Sequence, residues 1–320
     1  MLFTMKKENR LTKRIGRLAP YSFGSWALGG EYWGEQDHKD SVRAIHRALT
    51  LGVSHFDTAP VYGKGRSEQL LGQQLRKIRN DISLGTKVFY SDPDKMVESF
   101  HTSLKRLMTD YIDIFYIHWP LSDCDMRPGM EALEKLRKEG RIRAIGVSNF
   151  TIPQIEMLEE AGEVDVFQGG YNIFWPKLEE KLIPWLKENN IGFIPYGVLA
   201  QGILTDNGID HLAREHDGFR HKMILYSPEI REKLTSLLTR IGDECSKWKI
   251  SVEQAVSAFT LMHVSADTVL LGVRNRNQAD SNFRHSVEEL PRSLSSLLEQ
   301  LLIETQSFIP DVPNLFNHKS

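Results

Sequence analysis

Short runs of β-branched and aromatic residues alternate along this chain with stretches whose apolar positions recur every three or four residues, and glycine often marks the join. That alternation predicts an α/β fold. Between Asp40 and Leu51 the apolar Val42, Ile45 and Leu49 share one helical face, Gly52 supplies a C-terminal cap, and Val53-Ser54-His55-Phe56 reads as the following strand. Further apolar runs begin near Ile82, Tyr111, Ile142, Val164 and Ile191, while Gly140 and Gly162 sit just past helical segments, where a left-handed residue would close them. A first strand near Tyr21 to Ser25 and a last near Thr268 to Leu271 bring the count to eight, the number of a closed (β/α)8 TIM barrel.

The competing architecture, a doubly wound open sheet, is normally announced by a glycine fingerprint after its first strand. Gly63-Lys64-Gly65 is followed by Glu68 where the third glycine belongs, Gly29-Gly30 before Gly34 lacks the one-residue gap, and no Walker A loop occurs. The pattern therefore predicts one barrel domain over residues 1–320, with 1–17 as a lead-in and two additions to a minimal barrel. One addition is a cofactor- or substrate-covering loop at 198–227; the other is a C-terminal extension at 291–320, in which Leu294, Leu297, Leu298 and Leu301 predict a helix.

Composition narrows the class of partner. The 40 Lys and Arg nearly balance the 42 Asp and Glu, and 41% of positions are hydrophobic against 26% charged. This points to a soluble globular protein with a small-molecule ligand, not to nucleic acid or an acidic membrane. Cys124 and Cys245 are too few for a disulfide framework and read as free thiols in a reducing compartment. No apolar run approaches the ~18 residues of a membrane span, and Lys6, Lys7, Glu8 and Arg10 interrupt Met1 to Arg17 before a signal-peptide core can form. A cytoplasmic location and a solvated N-terminal lead-in are the expectations.

In a barrel of this kind the chemistry sits at the C-terminal ends of the strands. Asp57 closes the second strand with Tyr62 in the loop beyond, Lys87 closes the third and His118 the fourth. Asp57 to Lys87 is thirty positions and Lys87 to His118 thirty-one, about one β-α unit each, so the three should converge at one level. Singly, each has an ordinary structural role; together they compose a proton donor. Tyr62 supplies the proton, the Lys87 ammonium paired with Asp57 lowers the phenol pKa from ~10, and His118 orients a carbonyl by hydrogen bonding.

These residues stand in longer motifs. Gly52-Val53-Ser54-His55-Phe56-Asp57-Thr58-Ala59-Pro60-Val61-Tyr62-Gly63 with Ser67-Glu68 and Gly72, then Gly85-Thr86-Lys87, Ile117-His118-Trp119-Pro120 and Arg143-Ala144-Ile145-Gly146-Val147-Ser148-Asn149-Phe150, resemble the signatures of the aldo-keto reductases from about Arg17 to Phe283. The resemblance implies NAD(P)-dependent oxidoreduction on a (β/α)8 barrel without a Rossmann domain. It implies that Ser148, Asn149 and Gln168 bond the nicotinamide carboxamide, that Tyr196 stacks on the ring, and that Gly24, Trp26 and Asp57 also contact the cofactor. Leu199, Gln201 and Gly202 would follow the pyrophosphate. Gly272 and Arg274 would meet the adenosine phosphate, and Asn282 the adenine. Gln278 stands where several family members carry an arginine for the 2′-phosphate, so Arg274 alone would supply the charge that favours NADPH, with NADH as the other possible cofactor. Ser148-Asn149 also reads as a helix N-cap before Thr151-Ile152-Pro153, with Asn149 or Thr151 as the capping residue.

Trp26, Trp33 and Trp119 follow strand ends and are expected to line the substrate site with Tyr62 and His118, whereas Trp175, Trp185 and Trp248 read as packing between helices. His211, His216 and His221 recur every five residues, a spacing that does not align two imidazoles on one helical face, so they read as a polar lid and no metal is expected. The leading expectation is an oxidoreductase moving hydride between nicotinamide and the carbonyl of an aldehyde or ketone. The alternatives are a sugar or polyol dehydrogenase using the same site oxidatively, or a cofactor-sensing subunit with little turnover, like the potassium-channel β-subunits that resemble this family.

Overall fold

The structure, a computed structural model, describes residues 8–30, 34–214, 223–284 and 289–310. Eight parallel strands run in the order β7-β6-β5-β4-β3-β2-β1-β8: β1 (Tyr21–Gly24), β2 (His55–Asp57), β3 (Ser83–Val88), β4 (Ile112–Ile117), β5 (Ile142–Ser148), β6 (Val166–Gly170), β7 (Gly192–Tyr196) and β8 (Val269–Gly272). The barrel closes between β7 and β8, where Asp267 donates its N–H to Phe193 O at 2.8 Å and accepts the Phe193 N–H on Oδ2 at 2.8 Å. The (β/α)8 barrel expected from the hydrophobic pattern is the fold observed.

Helices cover the outside. After α1 (Arg10–Ile15) come α2 (His38–Thr50), α3 (Arg66–Leu75), α4 (Pro93–Leu107), α5 (Arg127–Lys138), α6 (Ile152–Glu159) and α7 (Leu182–Glu188). Then follow α8 (Gly208–Ala213), α9 (Pro228–Trp248), α10 (Val252–His263), α11 (Arg276–Phe283) and α12 (Arg292–Thr305). The second unit shows how local sequence sets these elements. Asp37 caps α2 by accepting the Asp40 N–H at 2.9 Å, Ile45, Ala44 and Ala48 bury its inner face, and the chain reverses at Gly52 with φ +86°.

Gly140 takes the expected left-handed conformation with φ +73°. Gly162 does not: a β-carbon there would lie 2.6 Å from Glu134 Cγ, so its glycine serves close packing on α5. Thr151, not Asn149, caps α6, through a capping box with Gln154.

The N-terminal segment departs from a solvated lead-in. From residue 8 it is held by structure: Leu11 of α1 is fully buried against the barrel interior formed by Ile114, Ala144, Val166, Ile194 and Leu270. Arg10 pairs with Glu159 and Arg14 with Asp165, while Asn9 donates to both Asp267 oxygens. An open barrel end would expose that apolar lining, and Leu11 removes it from water.

The described part of the 198–227 loop is also packed. Ala200–Gly202 forms a single 3-10 turn, α8 follows, and Ile203, Leu204 and Leu212 are buried; His216 and His221 lie outside the described residues. Helix α9 then packs along α12, whose Leu294, Leu298 and Leu301 are fully buried as the leucine spacing predicts. Trp175 and Trp185 are buried or half-buried, but Trp248 is 51% exposed at the end of α9, because its Nε1 turns outward to Glu244 and Ser293. Among the described residues no helix is long and apolar enough to cross a membrane.

Candidate active site

Strand register sets the centre of the site. Asp57 on β2 lies beside Gly85 on β3, Lys87 beside Tyr116 on β4, and the His118 N–H extends the ladder to Val88 O at 2.8 Å. Lys87 and Asp57 form a buried ion pair in which Lys87 Nζ donates to Asp57 Oδ1. The ammonium also donates to Thr58 O at 2.7 Å and reaches the Tyr62 hydroxyl at 3.4 Å. Gln168 Nε2 completes the carboxylate by donating to Asp57 Oδ2 at 2.9 Å. Beneath the pair, the Tyr116 ring fills space left by a glycine: a β-carbon on Gly146 would sit 2.3 Å from that ring.

Tyr62 is placed by another close approach. A β-carbon on Gly29 would stand 2.6 Å from Gly63 N and 2.8 Å from Tyr62 C, so the turn Trp26–Gly29 can press backbone to backbone against the tyrosine loop only with glycine there. The Trp26 ring stacks on Tyr62 at 6.2 Å between centroids, and His118 meets Tyr62 edge-on at 6.1 Å.

The electrostatics correct one expectation. Burial, and after it the Asp57 charge, push the Tyr62 phenol well above 10, whereas the sequence led us to expect Lys87 to lower it. Asp57 neutralises the ammonium at contact, so the pair presents little net positive field and desolvation dominates. Burial lowers Lys87, opposed by Asp57 and then Glu68, and His118 falls well below 6.5 through burial and the neighbouring ammonium. At neutral pH the cavity thus faces a protonated phenol and a neutral imidazole.

One continuous cavity of about 800 Å3 opens above these groups and runs to α11. Gly24, Trp26, Ser148, Asn149, Gln168 and Tyr196 line its barrel end, and Leu199, Gln201, Gly202, Gly272, Arg274, Gln278 and Asn282 continue the wall. Trp119 lines it too; Trp33 lies outside the described residues. Several of these groups already have protein partners. Asn149 Oδ1 accepts the Tyr196 hydroxyl at 2.6 Å, and Asn149 Nδ2 donates to His118 O and Ser148 Oγ. Arg274 Nε donates to Gln36 Oε1 at 2.8 Å, and Gln278 Oε1 accepts the Arg274 N–H. Gln201 Oε1 and His118 Nδ1 are buried without a hydrogen-bond partner among the described residues.

The model of the Aldo/keto reductase family matches residues 21–303, which carry all eight strands and the buried ion pair. The chain belongs to this family. It is 33% identical over 271 residues to the aldo-keto reductase YhdN of Bacillus subtilis, covering 81% of this chain and 82% of that one. It is 29% identical to the NADH-specific methylglyoxal reductase of Escherichia coli, covering 83% and 89%. Among solved structures, the glycerol dehydrogenase of Gluconobacter oxydans superposes with a TM-score of 0.77 at 26% identity, covering 95% of each chain.

Within this aldo-keto reductase some supporting residues escape the strand-end reading. Phe89 stacks on His118 at 5.0 Å and is 48% exposed at the cavity rim. Its place two residues beyond Lys87, just past the end of β3, is the available signal. Behind the ion pair, buried Glu68 accepts the Thr86 hydroxyl at 2.7 Å and pairs with Arg106 at 3.1 Å. Glu253 and Ser281 reach the cavity from α10 and α11 and carry no sequence signal, because the helices that bring them together are not strand-end elements.

Proposed function

We propose that this protein is an NADP-dependent carbonyl reductase, interconverting an aldehyde or ketone and the alcohol, with Tyr62 as the general acid. The observation that carries the reading is the Tyr62 hydroxyl held 3.4 Å from the buried Lys87 ammonium at the end of a cavity long enough for an extended ligand. The cavity wall fits a nicotinamide dinucleotide. Amide and hydroxyl groups of Ser148, Asn149 and Gln168 suit a carboxamide, the Tyr196 ring suits a flat heterocycle, and Arg274 brings a cation to the far end for a phosphate. The buried Gln201 Oε1, without a hydrogen-bond partner among the described residues, lies on the stretch between these ends.

A bound dinucleotide supplies the hydride. The chain's own residues do the rest. His118, neutral, hydrogen-bonds the substrate carbonyl and fixes its oxygen towards Tyr62. Tyr62 would pass its proton to that oxygen as negative charge grows there, and the Lys87 ammonium would stabilise the charge left on the phenol. A phenol raised by burial is a weak acid at rest; it becomes competent when the carbonyl oxygen gains charge and its own basicity rises. Trp26, Trp119 and Phe89 form the apolar rim that keeps water from the reacting atoms. Run in reverse, Tyr62 as the phenolate, stabilised by the Lys87 ammonium, would accept the proton of an alcohol, a direction the likeness to a glycerol dehydrogenase supports.

Tyr62→Phe should lower kcat by about 10²–10⁴-fold, while NADPH affinity, measured by fluorescence titration, stays within about twofold. A variant turning over at the wild-type rate refutes the assignment. Arg274 supports a preference for NADPH, and a relative named NADH-specific makes the paired measurement informative. Equal kcat/KM with NADH and NADPH would overturn that preference.

A further inference from the structure

Three partners fix the side chain of Asn149. Its Oδ1 accepts the Tyr196 hydroxyl at 2.6 Å, and its Nδ2 donates to His118 O at 3.1 Å and to Ser148 Oγ at 3.0 Å. These partners settle which way the amide points: His118 O can only accept, so the nitrogen faces it and the oxygen faces the phenol. Both amide hydrogens are thereby committed within the protein. A cofactor carboxamide could take one only by breaking such a bond, whereas the Ser148 hydroxyl, which accepts from Asn149, still carries a proton of its own to donate.

The backbone explains why the side chain is used in this way. Strand β5 ends at Ser148, and at Asn149 the chain turns left-handed, with φ +65°. Asparagine is among the few residues with a side chain that enter this region readily. The turn carries the backbone out of the β4–β5 ladder, whose last register pair is Ile117 and Val147, and the Asn149 amide takes up the next carbonyl along, that of His118.

The two groups that Asn149 joins belong to opposite sides of the reaction. His118 is held from its other side by its own N–H to Val88 O at 2.8 Å and by the stacked Phe89 ring. The backbone at Tyr196 is held by the segment after β6: the Tyr171 N–H donates to Tyr196 O at 3.0 Å, and Asn172 Nδ2 to Gly197 O at 3.1 Å. Each group is anchored to its own neighbouring strand, and Asn149 bridges the two.

We infer that Asn149 is a positioning residue that ties the Tyr196 ring to the His118 backbone, so that the cofactor-facing and carbonyl-facing walls of the site keep a fixed separation. This rests on the carbonyl-reductase reading above and narrows its carboxamide contacts to Ser148 and Gln168. A misplacement of about 1 Å between reacting groups is worth roughly 10²-fold in rate, so the tie acts on kcat and leaves cofactor affinity alone.

The test is a double-mutant cycle in the full chain. Tyr196→Phe removes the hydroxyl and keeps the ring, and Asn149→Gly removes the amide while leaving the left-handed backbone accessible. NADPH binding is titrated by fluorescence, and kcat is measured with an aldehyde that wild type reduces. Each variant should bind NADPH at full stoichiometry, which counts the folded chains, with an affinity within about threefold of wild type. Each should nonetheless lose about tenfold in kcat, and the double variant should be no slower than Asn149→Gly alone, because both changes cut the same tie. A silent Tyr196→Phe beside an NADPH affinity that falls about tenfold or more in Asn149→Gly overturns the inference and makes Asn149 a cofactor ligand. Losses in kcat that multiply in the double variant overturn it as well. If wild type binds NADPH but reduces no member of a broad aldehyde and ketone panel, the reductase reading falls first and takes the inference with it.

Discussion

Lys87 carries its charge with no exposed surface, and a lone ammonium at that depth would cost several kcal/mol. Asp57, Thr58 O and the Tyr62 hydroxyl are the partners that make it tolerable, and the third is also the proposed proton donor. The same ammonium, after burial, keeps His118 neutral. Because the folded-state pKa of His118 lies well below its unfolded value of ~6.5, the unfolded chain takes up a proton that the folded chain refuses. Stability is therefore full above about pH 6.5 and is lost progressively as pH falls below it towards the folded value. His118→Asn should show a shallower fall in Tm between pH 7.5 and 5.5 than wild type; parallel curves would contradict a depressed His118. His263 has the opposite sign. Its Glu179 partner raises it, so its contribution is present below ~6.5 and fades as pH rises through its folded value.

At the scale of elements, the turn Trp26–Gly29 and the tyrosine loop work as a pair, meeting where neither Gly29 nor Gly63 has a side chain. Gly29→Ala must separate two backbones and so displace Tyr62 from Lys87. A misplacement of about 1 Å is worth roughly 10²-fold in rate, so kcat should drop by that order while far-ultraviolet circular dichroism remains that of a barrel. Unchanged kcat would show that the contact does not position Tyr62. The strands, and the convergence of Asp57, Lys87 and His118 at one level, were legible in the sequence because a parallel barrel repeats one β-α unit, and a spacing of thirty residues returns the chain to the same level. Depth was not legible. Spacing places Lys87 beside Asp57 but does not say that both are buried, which is why the direction of the Tyr62 pKa shift came out reversed. Helix α9 escaped although Ile230, Leu234, Leu237, Leu238 and Ile241 mark its buried face, since an eight-unit repeat has no slot for it. The role of α1 escaped for another reason: one leucine among charged residues looks solvated until the barrel end it covers is known.

For the molecule as a whole, the two ends of the barrel divide the labour. Strand C-termini hold the ion pair and the proposed chemistry, and the opposite end holds the closure, where Asp267 joins β7 to β8 and receives both hydrogen bonds from Asn9 ahead of α1. Gly192 leaves room for this, since a β-carbon there would lie 2.9 Å from both Asp267 Oδ2 and Leu11 Cβ. Seam and plug therefore form one unit, remote from Tyr62. Asp267→Ala strips the acceptor from the Phe193 N–H and the half-exposed Asn9 amide, and leaving the buried Phe193 N–H unpaired costs about 1–3 kcal/mol. The variant should unfold several degrees below wild type in a thermal melt, at roughly 2–4 °C per kcal/mol or less for a chain of this size. If the division of labour is real, the protein that remains folded should keep its kcat within about twofold. A wild-type melting temperature would show that the seam is held elsewhere, and a large loss of kcat in the folded variant would show that closure and active site are coupled.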